Sequence, residues 1–210
     1  MIIGRTILNI EYSYKEDSLS IQKYYHISHL SRQCLIDNNV TELPVTLTQI
    51  ISNNNWKLVQ YEQLKSINNK TYNKLMSENS GFAEYTPSGN YIIFYDSSQP
   101  VTTQRFTIAH EIGHILLHHF HIPVKTKEKE ANMFASRLLM PMCVLYECKV
   151  KNAQEVATLC NVSLISATYR YERLLLVKNR KKFYTDKNEK KLKNKFKTFI
   201  KTNLRTKTSF

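Results

Sequence analysis

Residues 110 to 114 read His110-Glu111-Ile112-Gly113-His114. On a helix, two histidines four apart stand one turn above each other on the same face, so both imidazoles can reach one divalent cation. Glu111 directly follows the first of them, where its carboxylate can reach a water that a metal ion has acidified towards neutrality. These are the parts of a hydrolytic metal site of the peptidase kind: two neutral nitrogen ligands, and a base for the attacking water. Catalytic zinc takes three protein ligands and keeps a fourth position open. The third ligand must therefore come from elsewhere, and the next acidic residues are Glu128 and Glu130.

The flanking sequence says what must position these groups. Asn90 to Tyr95 is rich in β-branched and aromatic residues and predicts a strand, followed by a turn-forming cluster from Asp96 to Pro100 and a helix beginning near Thr102 or Thr103. Around the histidines the positions are nearly all apolar (Ile108, Ala109, Ile112, Ile115, Leu116, Leu117), which marks a helix buried on most sides. Polar groups left unpaired there would cost several kcal/mol, so the two histidines and Glu111 must be paired or metal-bound. Gly113 costs about 1 kcal/mol relative to alanine in a helix interior, which points to close backbone packing beside the ligands. A second helix follows, with apolar residues at 131, 134, 135, 138 and 139 and a stop at Pro141. Glu128 in its first turn can bind the metal while Asn132, four residues on, orients a ligand from behind. Glu130 points about 160° away from that face and is expected to meet solvent or a neighbouring cation. His118 lies four beyond His114 and is expected on the ligand face, hydrogen-bonding near the site. A clamp made of His114 and His118 instead would strand Glu111 away from the metal. His119 and His121 read as solvated or helix-capping.

The stretches Arg105 to His118 and Glu128 to Pro141 resemble, in this order, the motifs of the ImmA/IrrE family of zinc metallopeptidases, and the resemblance extends loosely over about residues 20 to 175. It implies an α+β, zincin-like domain with a small twisted sheet, an active-site helix and a C-terminal helical segment. It also implies a gluzincin-like site in which His110 and His114 bind Zn²⁺, Glu111 is the general base and Glu128 is the third ligand, with Glu130 competing for that last role. By the same resemblance the substrate is a protein, such as a helix-turn-helix repressor of a mobile element or stress response.

Composition bounds the alternatives. The formal charge is +13, but residues 178 to 210 hold thirteen Lys or Arg against only Asp186 and Glu189, so residues 1 to 177 are nearly neutral. We therefore expect a peptidase domain over 1–177 and a basic tail over 178–210, partly helical, with its last residues from Leu204 disordered. That tail is a candidate for contact with nucleic acid or an acidic surface. No run approaches the roughly 18 apolar residues of a membrane span, and no signal peptide is visible, so a cytoplasmic protein without membrane contact is expected. Cys34, Cys143, Cys148 and Cys160 lack metal-site spacing and are expected as unpaired thiols.

The remaining pattern supplies a scaffold. Ser20 to Asn38 predicts a helix, Leu47 to Ile51 a short one, Trp56 to Tyr61 a strand, and 81–85 with 91–95 a hairpin whose edge could pair with an extended substrate. Residues 150–175 read as a helix-turn-helix-like pair opened by Asn152 and Glu155. This pair keeps a second function class in play: a DNA-associated regulator whose metal site is structural or inactive. The oxyanion-stabilising group is not fixed by the sequence; Tyr85, Tyr91, Tyr95 and His118 are candidates.

Overall fold

The computed structural model describes residues 19–65, 80–119, 124–178 and 187–208; His121 and Phe183 lie outside them. The first helix, α1 (Ile21–Asp37), buries Ile27, Cys34 and Leu35. It stops where the Asn38 amide donates back to the Cys34 carbonyl at 2.8 Å and Asn39 turns left-handed at φ 53, a conformation that asparagine tolerates. The short helix α2 (Leu47–Asn53) buries Leu47, Ile50 and Ile51, and leads into β1 (Lys57–Gln60) and a single turn, α3 (Tyr61–Lys65).

A three-stranded sheet follows, in the order β1-β3-β2, built from β2 (Gly81–Tyr85) and β3 (Tyr91–Tyr95). β1 runs parallel to β3 with Leu58 opposite Ile93, and β2 runs antiparallel to it with Ala83 opposite Ile93. The hairpin closes through the Thr86 N–H to the Asn90 carbonyl at 2.8 Å, with Gly89 at φ 84. Since Thr86 and Ser80 make ladder bonds to Asn90 and Asp96, the alternation of an antiparallel pair turns the backbone groups of Phe82 and Glu84 towards β3. Those of Gly81, Ala83 and Tyr85 face the open edge.

Helix α4 (Val101–Leu116) carries the His-Glu-x-x-His segment and α5 (Val124–Leu139) carries the acidic residues. Two glycines set how closely the elements approach α4. A Cβ on Gly81 of β2 would collide with Thr107 Cγ2, and one on Gly113 would lie 3.1 Å from Phe134 Cδ1 and 3.3 Å from Ala131 Cα of α5. The expectation of close packing at Gly113 thus has its partner in Phe134, whose fully buried ring contributes about 1.5–3 kcal/mol. Small sheet and packed helices together are the α+β architecture expected.

The remaining helices are α6 (Met142–Glu147), α7 (Ala153–Cys160), α8 (Leu164–Lys178), α9 (Lys187–Lys195) and α10 (Lys197–Thr208). At the start of α7, Asn152 accepts from the Glu155 N–H at 2.8 Å, while the Glu155 carboxylate accepts from the Lys151 N–H at 3.1 Å, a reciprocal cap. Left-handed Asn161 then turns the chain into α8. The chain divides into two compact units, one of residues up to Ile27 with Leu47–Ala135, the other of Ser28–Thr46 with Ser136–Phe210. The described part of the basic C-terminal segment, 187–208, is helical, with Leu192 and Phe196 fully buried, and the disorder expected from Leu204 gives way to α10. Burying two large apolar side chains outweighs the self-repulsion of the lysines around them. All four cysteines are separate, buried thiols; burial pushes Cys34 and Cys143 up to about 12, out of the reactive range.

Candidate metal centre

Helical spacing on α4 brings the two histidine rings together, and α5 adds one carboxylate. His110 Nε2 lies 2.9 Å from His114 Nε2 and 3.0 Å from Glu128 Oε2, and His114 Nε2 lies 3.4 Å from Glu128 Oε1. Three donor atoms thus converge within 4.8 Å of one another. Tetrahedral zinc with ligand bonds of roughly 2.0–2.1 Å separates its ligand atoms by about 3.3 Å. The observed spacing fits such a cation with little adjustment. α5 starts at Val124, so Glu128 stands in its second turn rather than its first.

The chemistry of the donors fits as well. His110 Nδ1 is 2.8 Å from Asn132 Oδ1. An amide oxygen can only accept, so Nδ1 carries a proton; Nε2 donates to Glu128 when the ring is charged and presents its lone pair to the cluster when it is neutral. Burial opposes charge on His110, yet the Glu128 hydrogen bond and the charges of Glu111 and Glu128 hold its pKa above the usual value. Glu128 shows the converse: burial would raise it, but hydrogen bonds from His110 and His114 hold it well below the carboxylate range, as an anion. Glu111, 7 % exposed, is pushed up, first by burial and further by the Glu128 charge, against the pull of the two histidines and an N–H from Ala83. One carboxyl is thereby kept ionised for a cation while its neighbour is moved towards the range where a carboxylate takes up protons, a separation suited to ligand and base. The Ala83 N–H comes from the open edge of β2, which brings that edge to Glu111.

The surroundings of His114 differ from what spacing suggested. α4 ends at Leu116, and His118 follows at φ 53, exposed, so the i+4 relation that would have set it on the ligand face is broken. His119 takes its place. Expected as solvated or capping, it is buried, with Nδ1 3.0 Å from His114 Nδ1 and Nε2 3.1 Å from Glu130 Oε2. Glu130 in turn pairs with Lys23 of α1. It is buried rather than solvent-facing, the neighbouring cation expected for it is Lys23, and it pairs with that lysine and His119 rather than joining the three-donor cluster. The result is a file of groups, His119, Glu130 and Lys23, behind the His114 imidazole, as Asn132 stands behind that of His110. An acid two residues from Glu128 was visible in the sequence; its burial and the helix end that turns His119 inward were not.

Of the tyrosines considered for the oxyanion, Tyr85 is exposed and packs its ring at a tilt against Tyr91, and the Tyr95 hydroxyl accepts from Gln60 Nε2 at 3.2 Å. Sequence reading passed over Tyr61. Its side chain is fully buried, its hydroxyl has no hydrogen-bond partner among the described residues, and burial and then the charges of Glu111 and Asp96 raise its pKa.

Residues 69–172 match the family of M78 peptidases, described as the IrrE N-terminal-like domain; the matched stretch contains β2, β3, α4 and α5. No curated protein matches the chain significantly.

Proposed function

The chain carries an IrrE N-terminal-like domain of the M78 peptidases, a metallopeptidase family with an α+β zincin-like fold, and on that premise we propose that it is a zinc-dependent endopeptidase acting on one particular protein. The substrate class we propose is a repressor of the helix-turn-helix type, met in the cytoplasm. The observation that carries the reading is the convergence of His110 Nε2, His114 Nε2 and a Glu128 oxygen beside buried Glu111. His110, His114 and Glu128 would hold the ion, which supplies Lewis acidity to a carbonyl and to a water.

Glu111 accepts the proton of the attacking water and returns it to the leaving amine once the peptide bond breaks. Asn132 and His119 act on the other ring nitrogens of the two ligand histidines, fixing tautomer and orientation. The Ala83 carbonyl and the backbone groups of Tyr85 on the open edge of β2 can pair with an extended substrate segment, which would carry its scissile bond past Glu111. A regulator with a purely structural metal would have no use for a buried carboxyl beside the ligands, and Glu111 therefore favours the enzyme.

The test is co-expression of the chain, and of its Glu111→Gln variant, with candidate repressors, followed by mass spectrometry of the fragments. One defined cut present with the parent and missing with the variant is expected. Fragments independent of Glu111 would overturn the reading, and efficient digestion of unrelated unfolded proteins would contradict its specificity.

A further inference from the structure

The C-terminal helices sort their basic residues into two sets. On one side Lys193 pairs with Glu147 at 2.6 Å, Lys195 donates to Asn39 Oδ1 at 2.7 Å, and Lys207 reaches Glu155 at 2.6 Å and the Cys148 carbonyl at 3.1 Å. These lysines accompany Leu192 and Phe196, which are buried, and they secure α9 and α10 within their own unit. The acid within these helices, Glu189, is spoken for by Arg32 at 3.5 Å.

The second set is exposed: Lys187, Lys190 and Lys191 on α9, and Lys197, Lys201 and Arg205 on α10. Positions 187, 190 and 191 share a helical face, as do 197, 201 and 205, with steps of about 6 Å along α10. The other exposed residues of the two helices are Asn194 and the threonines Thr198, Thr202 and Thr206, the last three forming a row beside the cations. Among described residues the exposed positions of this surface therefore hold six positive charges and no negative charge, with Phe199, Ile200 and Leu204 half-buried beside them. Within the set the like charges repel at i,i+4, and Lys187 and Lys197 stand at helix N-termini, where the dipole disfavours cations. An external polyanion would reverse both penalties.

We propose that the exposed faces of α9 and α10 bind the phosphodiester backbone of a nucleic acid, without reading its sequence. No large apolar side chain stands out on this face, whereas protein interfaces draw their energy from buried aromatic and aliphatic anchors, which disfavours an acidic protein as the occupant. A phosphate backbone asks for what the face offers, cations interleaved with hydroxyl and amide donors. The proposal is independent of the peptidase reading, since none of its residues belongs to the metal centre.

Full-length protein is titrated by fluorescence anisotropy against a short random-sequence duplex DNA and against an RNA of equal length, each at two salt concentrations. The variant Lys197→Gln/Lys201→Gln/Arg205→Gln is compared with a control that loses the same charge elsewhere, Lys57→Gln/Lys149→Gln/Lys151→Gln. The α10 variant should lose at least tenfold in affinity at low salt, and its salt slope should fall by about 2–3, roughly 0.9 per lost phosphate contact. The control should stay within twofold. If the variant unfolds, Lys187→Gln/Lys190→Gln/Lys191→Gln makes the same comparison on α9. Equal losses in variant and control would reduce the effect to net charge and overturn the proposal. So would absence of binding to either nucleic acid, or equal binding to a polyglutamate of matched charge. The DNA and RNA arms say which nucleic acid carries the backbone.

Discussion

Replacing His119 by phenylalanine isolates the support behind one metal ligand. The imidazole is 7 % exposed and spans 3.0 Å to His114 Nδ1 and 3.1 Å to Glu130. Phenylalanine fills the same space but makes neither bond. When His114 offers Nε2 to a cation, its Nδ1 carries a proton that must find an acceptor, and His119 Nδ1 is placed to be that acceptor. Its Nε2–H then donates to Glu130, itself balanced by Lys23. Loss of such an outer partner weakens metal binding about 10–100-fold, or about 1.4–2.8 kcal/mol. The assay is competition for zinc against a chromophoric chelator on folded protein, with the melting temperature of the metal-free form measured in parallel. Some destabilisation is expected there too, about 1–3 kcal/mol for the groups left unpaired. His119→Gln, whose amide oxygen can accept the same proton, should recover part of the lost affinity. A His119→Phe protein that folds and holds zinc as tightly as the parent would refute the reasoning.

Three further outcomes follow from particular contacts. Gly81→Ala should destabilise the first unit by about 1–3 kcal/mol in denaturant melts, and adding Thr107→Ser, which removes the colliding methyl, should restore part of the loss; no coupling between the two would contradict the close approach. The Asp96 carboxylate accepts from the Ser98 N–H and hydroxyl and from the Gln99 amide at 2.6–2.9 Å. Although burial opposes it, these bonds depress its pKa, so its contribution is present above the unfolded-state value near 4 and lost as pH falls through the lower folded value. Asp96→Asn should thus cost about 1 kcal/mol at neutral pH and progressively less in acid, whereas a constant difference would point elsewhere. Tyr61→Phe removes a hydroxyl that has no partner to lose and should leave the melting temperature unchanged or raise it; a clear fall would mean that the hydroxyl is satisfied in solution.

Short-range chemistry was legible in the sequence, and features set by where an element stops were not. The four-residue histidine spacing needs only a helix, and the hairpin of 81–95 and the Asn152 cap are written in residues within reach of each other. His118 and His119 exchanged places because α4 ends at Leu116 and the chain enters a left-handed residue, an event with no glycine or proline to announce it. Glu130 could be turned away from Glu128 by helical geometry alone, but its burial depends on Lys23, more than a hundred residues earlier. The basic segment carried its amphipathic pattern openly in Leu192 and Phe196. Which lysines it spends on its own unit depends on Glu147 and Glu155, whose nearness only the folded chain supplies.

The central claim is that three side chains hold a catalytic zinc while a fourth acts as base, and metal content measured beside proteolysis tests it most directly. Freshly purified parent, Glu111→Gln, Glu128→Ala and Glu130→Ala are assayed by elemental analysis without chelator exposure, and for cleavage of the identified substrate. The expected pattern is about one zinc per chain in the parent, zinc retained but cleavage lost in Glu111→Gln, and both lost in Glu128→Ala. A parent protein that neither contains nor takes up zinc would contradict the account, as would a Glu130→Ala protein emptied of metal while Glu128→Ala stays filled.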